Sequence, residues 1–159
     1  MFLKFQIPKD EFAHLAKLDE DSSKQSFITS RLMRRNMTLE EQTFMVRQPY
    51  LETLQYLKQV NWLEQNNLRF LLWGKNGTGK STTMAQIHHF AIKSNFIVIK
   101  FHDVRFWFSH YREAVESEYK KGRWNFPVEA RTILEDFKHY NIDKIEGMVT
   151  HKTYKWSEA

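Results

Sequence analysis

The 159-residue chain contains no cysteine. Disulfide frameworks and zinc sites built on thiolates are therefore excluded. Proline is almost as scarce, with three residues, and glycine stops at five, so each of these marks a break or a special turn. No apolar run approaches the roughly 20 residues of a membrane-crossing helix. The opening stretch, MFLKFQIPKDEF, has no apolar core followed by small residues, as a secretory signal would. It carries Asp10 and Glu11, with Asp19, Glu20 and Asp21 close behind, whereas transit peptides are poor in acids. On these residues alone the expectation is a cytosolic chain or one whose targeting segment has been removed.

Apolar residues make up 42% and aromatics 15%, enough material for a core, which argues against global disorder. Lys and Arg number 24 against 19 Asp and Glu, a net charge of +5. That balance suits a partner such as nucleic acid, and equally a basic domain without one.

Three of the five glycines, Gly74, Gly77 and Gly79, fall within six positions. The run Gly74-Lys75-Asn76-Gly77-Thr78-Gly79-Lys80-Ser81 fits G-x-x-x-x-G-K-[ST] without a mismatch. It follows the apolar run LRFLLW (68–73) and precedes a helical pattern from Lys80 to Ser94, as a phosphate-binding loop requires. Glycines let successive backbone N–H groups turn inward around a phosphate, and the helix N-terminus adds a positive field. Lys80 supplies a compact charge for the β- and γ-phosphates. The Ser81 hydroxyl suits Mg²⁺, and Thr82 stands one step on, placed for the α-phosphate. The pattern predicts a bound nucleoside triphosphate or diphosphate with Mg²⁺.

Hydrolysis would need more: a carboxylate after a neighbouring strand, a means of positioning water, and usually an arginine. Asp103, after FIVIKF (96–101), is the one acid that follows a strand-like run. Metal orientation and capping of the next helix are both open to it. Binding is thus legible and catalysis is not.

Coarse patterning supplies the frame. Residues 1–37 read as an N-terminal arm or a loosely ordered leader, with a basic cluster at Arg31, Arg34 and Arg35. From 38 to 159 the chain reads as the N-terminal portion of a nucleotide-binding domain. Thr38-Leu39-Glu40-Glu41 has the form of a capping box that starts a helix. Pro49 opens a second, with Tyr50, Leu51, Leu54, Leu57 and Val60 on one face and Lys58 towards solvent. In the loop helix, Met84, Ile87 and Ala91 are expected to face inward, with His88 and Ile92 beside them. Strand, loop, helix and strand make a βαβ unit with parallel strands. Further helices are expected over about 104–121 and 127–140, separated by a turn at Gly122–Asn125. The fold class is α/β, with a sheet left incomplete within this chain, and half a sheet would leave an apolar edge.

The remaining clusters have competing readings. Adjacent His88 and His89 point about 100° apart on a helix and cannot chelate one metal together. Arg105 to Phe108 with His110 and Tyr111 mixes base and aromatics, as an RNA-stacking face or an ordinary core would. Lys120, Lys121, Arg123 and Trp124 form a basic turn suited to phosphate backbone or to solvent.

The runs RFLLWGKNGTGKS and IHHFAIKSNFIVIKFHDVRFW, with FMVRQPYLETLQYLK before them and RWNFPVEARTILEDFK and THKTYKW after, closely resemble the death-associated protein three family of mitochondrial small-subunit ribosomal proteins. The resemblance runs from about Phe44 to Trp156. It implies an AAA-like P-loop NTPase fold and a mitochondrial, ribosomal location. It also implies contacts with small-subunit rRNA and ribosomal proteins, and a guanine nucleotide, GTP or GDP rather than ATP, with Mg²⁺. Carried over, nucleotide contacts fall on Gly74, Lys75, Asn76, Gly77, Thr78, Gly79, Lys80, Ser81 and Thr82, with Arg47, Gln48 and Pro49 near the base. Family members are more than twice as long, so a separate chain or segment is expected to complete the sheet. The competing reading is an AAA-like or signalling NTPase whose hydrolysis drives a conformational change.

Overall fold

A computed structural model of the chain describes residues 4–16, 38, 42–62, 64, 68–101, 109–149 and 152. The chain divides into two compact units, Met1–Phe96 and Ile97–Ala159.

The first unit is built on a short antiparallel pair, β1 (Lys4–Gln6) with β2 (Thr43–Met45), in a register that sets Phe5 opposite Phe44. Helix α1 (Lys9–Ala16) follows directly, its first turn closed by the Phe12 N–H donating to the Pro8 carbonyl at 2.8 Å. Ile7, Phe12, Leu15 and Phe44 come together as the buried core, with Phe5 and Ile92 packed against it. Helix α2 (Gln48–Gln59) starts where Pro49 fits the first turn, whose N–H groups have no helical acceptor in any case. Tyr50 and Thr53 are its buried residues, and the Thr53 hydroxyl returns to the Pro49 carbonyl at 2.8 Å. Helix α3 (Lys80–Lys93) ends at Ser94, and Asn95 turns the chain away in the left-handed region at φ 61°.

Polar contacts fix α3 to these elements. Gln86, fully buried, donates from Nε2 to the Met45 carbonyl at 3.2 Å. Near the C-terminal end, Glu11 accepts from His89 Nε2 at 2.6 Å and from Lys93 Nζ at 2.5 Å. A carboxylate can only accept, so the imidazole proton sits on Nε2. The same ring meets Phe5 edge-on, with centroids 5.3 Å apart.

In the second unit, β3 (Val115–Glu116) and β4 (Trp124–Asn125) form an antiparallel hairpin. Helix α4 (Pro127–Ile145) then opens with Pro127 in its first turn. Asn141 on α4 is almost wholly buried and binds the backbone of Val98 on both sides. Its Oδ1 accepts from the Val98 N–H at 2.7 Å, and its Nδ2 donates to the Val98 carbonyl at 2.8 Å and the Phe137 carbonyl at 2.7 Å. Along 96–101 burial alternates residue by residue, with Val98 buried and Ile97, Ile99 and Phe101 exposed.

Neither 68–73 nor 96–101 is a ladder strand among the described residues. A strand takes its hydrogen bonds from a neighbour, and these runs instead stand with large apolar side chains in solvent, Leu71 at 87% and Trp73 at 90% exposure. Several other expectations are revised. The stretch after Thr38 does not run as a helix to Pro49, because Thr43–Met45 pairs as β2; Leu39, Glu40 and Glu41 lie outside the described residues. Met84 on α3 is exposed, while Thr83, Ala85 and Gln86 face inward. Helix α3 turns this side to the small β1–β2 pair, where Gln86 meets the Met45 carbonyl and Ile92 packs on the core. On α2, Leu51 is exposed and Thr53 takes the buried place. The expected helix over 104–121 gives way from Tyr111 to bends and the β3–β4 hairpin, and α4 runs five residues beyond its expected end. Cross-strand pairing and anchoring of the hairpin's root on α4 override the helix propensity of REAVESEYKK.

Two outcomes follow. Asn141→Leu keeps the volume but leaves the Val98 N–H and carbonyl without their buried partners; exchange of the Val98 amide should accelerate about tenfold or more in hydrogen–deuterium exchange. The Lys93 and His89 bonds hold the Glu11 carboxyl below its ordinary pKa of 4.5. The latch therefore contributes its full stability above that value and loses it as pH falls through the lower folded one. A melting-temperature profile from pH 6 to 3 should be steeper for the native chain than for Glu11→Gln.

Candidate functional site

The loop between 73 and 80 has the backbone its glycines allow. Gly74, Gly77 and Gly79 all take positive φ, at 150°, 81° and 85°. A side chain at these angles would be strained by roughly 1–2 kcal/mol per residue. Gly79 is also the N-cap of α3, and its carbonyl accepts the first helical bond from the Thr83 N–H at 2.9 Å. The chain thus turns left-handed and enters a helix in one step, leaving the first N–H groups of α3 without helical acceptors.

Side chains brace the turn from within. Lys80 Nζ donates to the carbonyls of Gly74 and Lys75, each at 2.8 Å, and the Thr78 hydroxyl donates to the Lys75 carbonyl at 2.9 Å. The start of the loop is therefore tied back to the lysine at its end. A β-carbon on Gly77 would meet only open space. Lys75, Asn76, Gly77, Thr78 and Ser81 are exposed; Thr82 is half-buried behind them.

One cation arrives from outside. The Arg47 guanidinium, at the N-cap of α2, donates to the Thr78 carbonyl. It also occupies the space that a β-carbon on Gly79 would need. The φ of Gly79 requires glycine there, and a β-carbon would also displace this guanidinium from the turn. Of the three residues expected near a base, only Arg47 reaches the loop. Gln48 Nε2 turns instead to Glu52 Oε1 at 3.0 Å on its own helix, and exposed Pro49 gives its carbonyl to Thr53.

The residues present suit a phosphate chain and a hard cation. Backbone N–H groups, Lys80 and Arg47 supply donors and positive charge, and the exposed Ser81 hydroxyl is an oxygen of the kind Mg²⁺ takes. Asp103, with Arg105 to Phe108, lies outside the described residues. Among the described residues no group of three or more His, Asp and Glu is placed to hold a metal. No helix there is long and apolar enough to cross a membrane.

Sequence reasoning missed Glu11 and Gln86, which hold the loop helix from behind. Glu11 lies 78 positions from its imidazole partner, and no periodicity links residues that far apart. Gln86 is polar on a face where apolar spacing points elsewhere.

Comparison with known proteins gives a consistent result. The family model described as mitochondrial ribosomal death-associated protein 3 matches residues 44–159. The small ribosomal subunit protein mS29 of Bos taurus is 33% identical over 121 residues, covering 76% of this chain and 30% of that protein. Its Mus musculus counterpart is 33% identical over 128 residues, covering 80% and 32%. The chain therefore spans about a third of the length of these curated relatives.

Substitution separates the two features of Gly79. Gly77→Ala introduces only backbone strain, whereas Gly79→Ala also displaces Arg47 from the Thr78 carbonyl. Gly79→Ala should lower the melting temperature by about 2–4 °C or more, and further than Gly77→Ala does. Equal shifts in a thermal melt would show that the Arg47 approach is immaterial.

Proposed function

The chain belongs to the mitochondrial ribosomal death-associated protein 3 family, a mitochondrial lineage, and from that premise we propose a structural role in the small subunit of the mitochondrial ribosome. In this reading the loop holds a guanine nucleotide with Mg²⁺ as a fixed part of the assembly. Small-subunit rRNA and neighbouring ribosomal proteins cover the remaining surface. The observation that carries it is the left-handed glycine loop tied back to Lys80 at the head of α3, in a chain of ribosomal kinship.

A nucleotide held in this loop would act as a staple. A ligand that binds only the folded state stabilises it by RT ln(1 + [L]/Kd), about 4 kcal/mol at a thousandfold excess over Kd. That is comparable to the whole margin of a small domain. Lys80 would exchange its two carbonyl partners for phosphate oxygens, and Ser81 would turn its hydroxyl to the metal. The exposed run 68–73 is the kind of surface that neighbouring chains bury, which fits a protein stable in an assembly rather than alone.

The first test is chemical. Native small subunits that contain the chain are denatured, and the released nucleotide is separated by ion-exchange chromatography. Stoichiometric GTP or GDP is the expected result; an empty site, or ATP with rapid turnover, overturns the proposal. Lys80→Ala should lower nucleotide occupancy and co-sedimentation with small subunits together. Full assembly of an unoccupied variant would rule out the staple.

A further inference from the structure

The β3–β4 hairpin belongs to the second unit, and its strands are exposed on both sides of the pair. Its root is fixed to the start of α4: the Tyr111 and Phe126 rings lie 5.6 Å apart, and the Arg112 N–H donates to Glu129 Oε1 at 3.2 Å. Cross-strand pairs Val115–Asn125 and Glu116–Trp124 extend from that root. The Ser117 N–H then closes on the Arg123 carbonyl at 2.8 Å. Gly122, at φ 77°, returns the chain across the tip. A closed and anchored hairpin thus projects the segment Glu118 to Trp124.

The chemistry of that tip is specific. Tyr119 is fully exposed at 101%, and Trp124 is exposed at 59%. Lys120, Lys121 and Arg123 are exposed and make no ion pair among the described residues. Against these three positive charges the segment holds one acid, Glu118; Glu116 stands across the ladder from Trp124, and Glu113 lies back towards the root. Aromatic faces left in water beside unpaired cations fit a ligand that is both polyanionic and flat-faced.

We propose that the tip of this hairpin is an RNA-contacting element that takes a non-helical segment. One unstacked base lies on Tyr119, with Trp124 beside it, while Lys120, Lys121 and Arg123 hold the flanking phosphates. A paired helix would engage the cations but offer the rings no free base face. The inference rests on the ribosomal reading above and adds to it the place of contact and the form of RNA taken.

The test uses the full chain in its assembly. Small subunits isolated from mitochondria are irradiated with ultraviolet light and digested with trypsin, and peptides carrying a nucleotide are identified by mass spectrometry. Adducts are expected on Glu113–Lys120 or Trp124–Arg131, and Tyr119→Ala should abolish the first. Subunits that contain the chain but give protein crosslinks and no nucleotide adduct at these peptides overturn the inference and leave the ribosomal role standing. If the chain does not sediment with small subunits, the ribosomal role falls, and the hairpin is judged on purified full chain with a 20-nucleotide oligouridine and an RNA duplex as probes. There Tyr119→Ala should weaken oligouridine binding about 5- to 100-fold and leave duplex binding nearly unchanged. Replacing Lys120, Lys121 and Arg123 by alanine should make the salt dependence shallower by about 2 in slope. Equal losses on both probes, or none, overturn the inference.

Discussion

The loop helix is held in place by side chains and carbonyls from outside it, and the first unit is organised around that restraint. Arg47 grips the turn before its first residue, the Met45 carbonyl takes Gln86 midway, and Glu11 joins His89 to Lys93 at the far end. Each anchor comes from a different element: the cap of α2, strand β2 and helix α1. A phosphate loop is useful only if its N–H groups stay aimed, and aim is lost when the helix behind them rocks. The small core of Ile7, Phe12, Leu15 and Phe44 matters chiefly because it fixes where α1 and β2 stand, and hence where these contacts fall.

The segments on either side of the loop helix are the less finished part. Residues 68–73 and 96–101 have the composition of buried strands, and each leaves large apolar side chains exposed. Backbone N–H and carbonyl groups in such runs need partners, and the curated relatives are about two and a half times as long as this chain.

The local shape of the loop was more legible in the sequence than the fold around it. Its glycine turn and the helix that starts at Lys80 could be read because neighbours in sequence determine both. Pro49 and Pro127 marked the starts of α2 and α4 for the same local reason. Reading failed where distant residues decide. Lys4–Gln6 turned Thr43–Met45 into a strand, Glu129 and Phe126 secured a hairpin where helix formers stood, and Glu11 found its histidine across most of the unit. The family resemblance recovered kinship but could not supply these long-range choices.

Asn141 has a directional consequence. In an extended chain the N–H and carbonyl of one residue point to the same edge, and those of its two neighbours point to the other. By engaging both groups of Val98, the amide of α4 acts as a plug one residue wide in that edge of the segment. Ile97 and Ile99 then present their hydrogen-bonding groups on the opposite edge only. Any strand added to this segment at these residues has a single side from which to zip up, so handedness of assembly is written into one amide.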